Sequence, residues 1–214
     1  MSDDGSNLQR AYTLRSPAEC LELYADWAKS YDADFASARA YALPLRVAEA
    51  FLAASPPAGS VLDVGAGTGL VAAALRALGH GAPLEAVDIS PQMLEVAREK
   101  GLYAALHVTD ITRPLPAGCG PYAGIVSAGT FTHGHVGPEA LAPLLAATLP
   151  GAVVALSVNL GVWETRGFPQ ALAALGDRID PPEYLDVPIY GGHADAAAEA
   201  PAGDRARILR FRTR

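Results

Sequence analysis

The sequence predicts a doubly wound α/β protein, a parallel sheet covered by helices on both faces. Three observations predict it. From Ser60 onward, short apolar runs alternate with segments of helical periodicity, the β-α-β-α alternation that builds such sheets. A glycine triplet, Gly65-x-Gly67-x-Gly69, falls where the first apolar run turns into the first of these helices. Near the C-terminus two apolar runs succeed one another with no helix between them, which places an antiparallel hairpin on the sheet edge.

Residues 1–10 are polar and read as a frayed end. Ser16-Pro17-Ala18-Glu19 writes a helix start: Ser16 caps, Pro17 suits the first helical position and Glu19 closes a capping box. Behind it Cys20, Tyr24, Trp27 and Tyr31 recur at helical spacing and make one aromatic face. A second helix opens at Pro44, turns Val47, Ala48, Phe51 and Leu52 inward and stops at Ser55-Pro56-Pro57-Ala58-Gly59. Residues 1–55 are expected to form N-terminal helices that close over the site as a lid, because a sheet edge alone leaves a ligand open to water.

Residues 60–158 are expected to form the ligand-binding core. Val61-Leu62-Asp63-Val64 reads as a buried strand, succeeded by the glycine turn and a helix holding Leu70, Val71, Leu75 and Leu78. Leu84 to Asp88 is a second strand. Ser90-Pro91 caps and starts a helix with Met93, Leu94, Val96 and Ala97, and Gly101 stops it. Leu106 to Val108 is a third strand, Tyr122 to Ser127 a fourth, Leu141 to Leu149 a helix despite Pro143, and Ala152 to Val158 a fifth strand. Residues 159–214 carry a helix at Phe168 to Leu175, a short strand within Glu183 to Tyr190, and a last strand at Arg207 to Arg212. The 214 residues make one domain.

Composition excludes several functions. A chain of this length buries roughly 70% of its unfolded surface and needs no covalent staples. Lys and Arg number 16 against 23 Asp and Glu, a net charge of −7, which argues against a nucleic-acid partner. Half the residues are hydrophobic and 18% are charged, so most of the chain folds. Cys20 and Cys119 cannot make a disulfide framework, which fits a reducing cytoplasm. The start Met1-Ser2-Asp3-Asp4 is acidic where a signal peptide is basic, and no run of about 18 apolar residues is uninterrupted, so a cytoplasmic location and no membrane partner are expected.

The chemistry concentrates at the glycine turn. A helix N-terminus offers unpaired N–H groups, and glycines there let a ligand approach the backbone. Asp63 lies within the preceding strand, Asp88 ends the next one and Asp110 comes after the third. Three carboxylates at consecutive strand ends suit a nucleoside and repel a polyphosphate. A dinucleotide fingerprint would need its third glycine where Leu70 stands, a P-loop would need a lysine that neither Lys29 nor Lys100 supplies, and Tyr-x-x-x-Lys is absent. S-adenosylmethionine, whose adenosine carries no phosphate, remains.

Val61-Leu62-Asp63-Val64-Gly65-Ala66-Gly67-Thr68-Gly69 resembles motif I of the class I S-adenosylmethionine-dependent methyltransferases. Val87-Asp88-Ile89-Ser90-Pro91-Gln92-Met93-Leu94 resembles their second segment, and Asp110-Ile111 their third. The wider sequence, with Gly101-Leu102-Tyr103 and Gly129-Thr130, is similar to the methyltransferase-like 27 (Williams–Beuren region 27) group. The resemblance implies a Rossmann-like seven-stranded sheet, order 3-2-1-4-5-7-6 with the last strand antiparallel. It also implies the site. Gly65, Ala66, Gly67 and Thr68 face the methionine part, with Asp63 behind them. Asp88 holds the ribose hydroxyls, Ile89 lies against the adenine, and Met93 belongs to the same cofactor wall. Asp110 accepts from the adenine amino group and the Ile111 N–H faces the ring edge. Ser127, ending the fourth strand, brings backbone near the sulfonium, and Tyr31 reaches the methionine carboxylate.

Acceptor residues are expected after the fourth and fifth strands. His133 and His135, in Gly129-Thr130-Phe131-Thr132-His133-Gly134-His135, are the candidate bases. A catalytic base there would make turnover rise with pH through about 6.5; otherwise the two histidines shape the pocket. Their spacing could also bind a metal, helped by Glu139 or a carboxylate elsewhere, but the sequence specifies no third ligand and no metal is expected. Asp180-Pro181-Pro182-Glu183-Tyr184 reads as a turn, and the arginines from Arg205 to Arg214 as a solvated strand and end. The leading function is methyl transfer to a small-molecule acceptor. The alternatives are a non-catalytic S-adenosylmethionine-binding domain and, disfavoured by the glycine spacing, a nicotinamide-dependent oxidoreductase.

Overall fold

The structure, a computed structural model, describes residue 28 and residues 41–191 and 204–214. The first expected helix, with Cys20, Tyr24, Trp27 and Tyr31, therefore lies outside the described residues apart from position 28. The described chain builds a seven-stranded sheet in the order β3-β2-β1-β4-β5-β7-β6. Its strands are β1 (Val61–Val64), β2 (Leu84–Asp88), β3 (Ala105–Val108), β4 (Tyr122–Phe131), β5 (Thr148–Asn159), β6 (Glu183–Pro188) and β7 (Arg205–Arg212). Neighbours among β1 to β5 run parallel, and β7 runs antiparallel to both β5 and β6. This is the doubly wound arrangement that the sequence predicts, in the Rossmann-like strand order that the family resemblance implies.

The helices are α1 (Leu43–Ala53), α2 (Leu70–Ala77), α3 (Pro91–Glu99), α4 (Leu141–Leu145), α5 (Leu160–Trp163) and α6 (Phe168–Leu175). Alternation along the strands sends successive side chains to opposite faces. Val61 packs with Phe51 of α1 and Leu75 of α2, whereas Leu62 packs with Leu144 of α4 and Phe168 of α6. The central strands β1 and β4 are largely buried on both faces for this reason, β1 at all four positions, whereas the edge strand β3 is half-buried and its Val108 exposed. Gly124 of β4 lets α1 settle onto the sheet, since a Cβ there would stand 2.4 Å from the Phe51 ring. At α3 the Ser90 hydroxyl accepts the Met93 N–H at 3.3 Å, the cap that the sequence predicts.

Several expected bounds are corrected. β4 does not end at Ser127 but runs to Phe131 through a register shift against β5. The hydroxyls of Ser127 and Thr130 both reach the Val64 carbonyl, at 2.7 and 3.0 Å, and tie the irregular stretch to β1. The helix expected from Leu141 to Leu149 stops at Leu145; the Thr148 hydroxyl donates to the Leu145 carbonyl at 2.8 Å, and the chain then joins β5. Leu78 is exposed and Leu52, Leu70 and Val96 are only half-buried. The short helix α5 has no counterpart in the sequence pattern; Asn159 caps it by accepting the Gly161 N–H at 2.8 Å.

Candidate active site

The sheet order reverses between β1 and β4, where a crevice opens at the strand C-termini, the usual ligand position in such sheets. A cleft of about 330 Å³ occupies this edge. It is lined by the glycine turn, the ends of β2 and β4, the Asp110 loop, and the segments carrying Tyr41 and Tyr190.

The turn has left-handed backbone at all three glycines, with φ of 61° at Gly65, 53° at Gly67 and 90° at Gly69. Side chains are strained in that region. Gly65 is also hemmed in, since a Cβ would lie 2.1 Å from the Thr130 hydroxyl oxygen, whereas a Cβ on Gly67 would meet nothing within 4 Å. The space over Gly67 belongs to the cleft. Ala66 and Thr68 line it too, and both are buried.

Asp88 fixes the turn. Its Oδ2 accepts the Gly67 N–H and its Oδ1 accepts the Ser90 N–H, each at 2.8 Å. Burial pushes the carboxyl upward, and these backbone N–H groups oppose that by favouring its charged form. A carboxylate has about four acceptor positions, so further hydrogen bonds to hydroxyl donors remain open to it. Ile89, exposed, and Met93 and Ile111, buried, line the wall beside it. Asp110 also faces the cleft; its Oδ1 takes the Thr112 N–H and hydroxyl at 2.9 and 2.7 Å, which holds it below the usual carboxylate range.

Asp63 lies beneath the turn, fully buried and away from the cleft surface. Burial raises it to about 7, opposed first by the Tyr103 hydroxyl, which donates to Oδ2 at 2.6 Å. Tyr103 stands in the sequence only within a loose family likeness; its packing against Gly69 and its bond to Asp63, 40 residues away, carry no local signal. Ser127, within β4, is fully buried, and Ala128, Gly129 and Thr130 beyond it line the cleft. Tyr31 lies outside the described residues.

The structure separates the two histidines. His135 lines the cleft, and burial lowers its imidazole to about 4, so it is neutral at physiological pH. The His133 ring instead packs on Gly161, where a Cβ would approach it to 2.7 Å, and it does not line the cleft. No group of three or more His, Cys, Asp or Glu side chains suited to a metal occurs among the described residues.

Two tyrosines unforeseen in the sequence close the far side. Tyr41 pairs with Tyr190 in an antiparallel bridge, the Ala42 N–H donates to the Ile189 carbonyl at 3.0 Å, and the two rings lie 6.3 Å apart. Gly129, with φ of 81°, makes room for the Tyr41 hydroxyl, which would stand 2.4 Å from a Cβ there.

The site fits an adenosine cofactor without phosphates. Open space over Gly67 and a carboxylate fixed at the β2 end suit a ribose, and no Lys or Arg lines the cleft among the described residues. Comparison with known proteins agrees. A methyltransferase-domain family matches residues 61–151. Human methyltransferase-like protein 27 is 35% identical over 178 residues, 82% of this chain and 71% of that protein. Among solved structures, the DhpI complex with S-adenosylhomocysteine aligns at a TM-score of 0.63 and 20% identity, covering 90% of this chain and 94% of that one. The plantazolicin methyltransferase BpumL with S-adenosylhomocysteine aligns at 0.58 and 17%, covering 92% and 97%. The chain therefore belongs to the S-adenosylmethionine-dependent methyltransferases, in the family of methyltransferase-like protein 27.

Proposed function

We propose that this methyltransferase acts on a small-molecule acceptor in the cytoplasm, and that its cleft divides into a cofactor half over β1 to β3 and an acceptor half over β4 and β5. The observation that carries the reading is the Asp88 carboxylate, pinned by Gly67 and Ser90 beside open space at the glycine turn. In this reading Asp88 accepts the ribose hydroxyls, and Ile89, Met93 and Ile111 pack on the adenine with Asp110 at its edge. Gly65 to Thr68 hold the methionine part, supported from beneath by Asp63 and Tyr103. Tyr31 keeps the role that the family resemblance implies for it, at the methionine carboxylate.

The bound cofactor supplies a methyl group already activated by its sulfonium. The protein's task is then alignment and exclusion of water, with removal of a proton where the acceptor carries one. Gly129 and Thr130, near the C-terminal end of β4, line the cleft, and in this reading they lie between its two halves. A neutral His135 on the cleft wall is a weak base and shapes the acceptor half; His133, turned onto Gly161, supports the loop. The net charge of −7 and a cleft without Lys or Arg among the described residues support a small molecule over a nucleic acid. No helix among the described residues is long and apolar enough to cross a membrane.

The test is incubation of the full chain with methyl-labelled S-adenosylmethionine and fractionated small metabolites. Label should enter a low-molecular-weight product. Label entering only protein or nucleic acid would overturn the small-molecule reading, and cofactor binding without any transfer would favour a sensor or scaffold.

A further inference from the structure

The acceptor half of the cleft is uncharged over most of its surface. Its walls are Phe131, Ile189 and the paired rings of Tyr41 and Tyr190, and its floor carries Ser157 and Asn159 on one face of β5. Among the described residues, Glu139 is the acidic side chain placed in this half of the cleft lining. Its Oε1 is shared between the Gly137 N–H at 2.8 Å and the Arg166 guanidinium at 3.4 Å. The other carboxylates on the cleft wall, Asp88 and Asp110, stand at the cofactor half. His135 adds no charge at neutral pH.

From this distribution we infer that the acceptor is a neutral, largely apolar molecule, presenting one hydroxyl or amine to the β4–β5 ends and bearing no carboxylate or phosphate. An anion here would leave water with no Lys or Arg among the described residues of the cleft wall to receive it, and buried unpaired charge is among the costliest things a site can hold. Aromatic walls favour a flat apolar body. One polar anchor is in place: Ser157 Oγ accepts the Gly129 N–H at 2.9 Å, so its own hydroxyl hydrogen is directed to another acceptor. Ser157 is thus a specificity residue that links acceptor recognition to the β4 end, where the methyl group would cross.

This inference rests on the methyltransferase reading, and the test separates the two. The full chain, loaded with labelled S-adenosylmethionine, is offered matched aryl compounds that differ only in bearing a hydroxyl, an amine, or that group together with a carboxylate or phosphate. Neutral members should be methylated with kcat/KM at least about 100-fold above their anionic counterparts, the scale expected of an uncompensated buried charge. Ser157→Ala should lower kcat/KM for the hydroxyl members about 10-fold while affinity for S-adenosylhomocysteine stays within about twofold, as for loss of one buried hydrogen bond. Equal or better use of the anionic members overturns the inference, as does failure of every member to bind the S-adenosylhomocysteine-loaded protein. Should Ser157→Ala fail to fold, the unsubstituted protein's preference between neutral and anionic members decides alone. Failure of S-adenosylhomocysteine itself to bind would instead overturn the underlying reading.

Discussion

Replacing Asp88 by Ala separates two roles that one carboxylate performs. Its two oxygens hold the Gly67 and Ser90 N–H groups at 2.8 Å each, so the change removes two charge-assisted bonds from the cofactor-free fold. Gly67 is half-buried and water can replace its partner, whereas Ser90 is 2% exposed and its N–H is left orphaned. An orphaned buried donor costs about 1–3 kcal/mol. Losing a carboxylate that burial disfavours returns part of this. A net loss of about 1–2 kcal/mol lowers the melting temperature of a chain this size by roughly 2–8 °C. Cofactor affinity should fall further, by about 1.5–3 kcal/mol, or roughly 10- to 150-fold, through loss of hydrogen bonds from hydroxyls to a charged group. Calorimetric titration with S-adenosylhomocysteine, well below the variant's melting temperature, reads the second effect apart from the first. Lowered melting with affinity unchanged would show that Asp88 only braces the turn, and would refute its ribose role.

The same geometry sets other expectations. Gly65→Ala combines a φ of 61° with a Cβ 2.1 Å from the Thr130 oxygen, so it should cost about 2–4 kcal/mol in urea unfolding, part of which Thr130→Ala restores. His135 titrates near 4 in the fold against 6.5 unfolded, so its contribution to stability is full above 6.5 and is lost as pH falls toward 4; His135→Gln should flatten that slope in melting curves. Asp63 has the opposite sign: raised from 3.8 to about 7, it stabilises the fold below about 4, and that contribution is lost as pH rises through 7, a slope that Asp63→Asn should remove. Turnover should show no rise through pH 6.5, because the cleft-facing histidine is already neutral there; a sigmoid rise centred near 6.5 would restore a histidine base.

The parts legible in the sequence are those written in local pattern. β1, β2 and α6 match their expected residues because apolar runs bounded by glycine or proline turns leave little choice of register. The carboxylate at the end of β2 is legible because a short polar residue there must face the turn beside it. The continuation of β4 is not. Ala128-Gly129-Thr130 lacks an apolar run, and its extension depends on two hydroxyls meeting the Val64 carbonyl more than 60 residues away. Pro143 is tolerated within a helix as expected, but the helix end is set by Thr148 and by the pairing of Tyr122 with Thr148. Tyr41, Tyr103 and Tyr190 escape a sequence reading as site residues for the same reason. Each acts across a tertiary contact, and an isolated tyrosine reads the same in a core as at a cleft.

The central claim is that the glycine turn and Asp88 together hold S-adenosylmethionine at the β1–β4 crevice. A crystal structure of the full chain with S-adenosylhomocysteine tests it most directly. The ribose hydroxyls should lie within hydrogen-bond distance of the Asp88 carboxylate, the adenine against Ile89 and Ile111, and the sulfur should face Gly129 and the neutral half of the cleft. A ligand bound elsewhere, or one whose ribose stands away from Asp88 with the turn intact, would contradict the account.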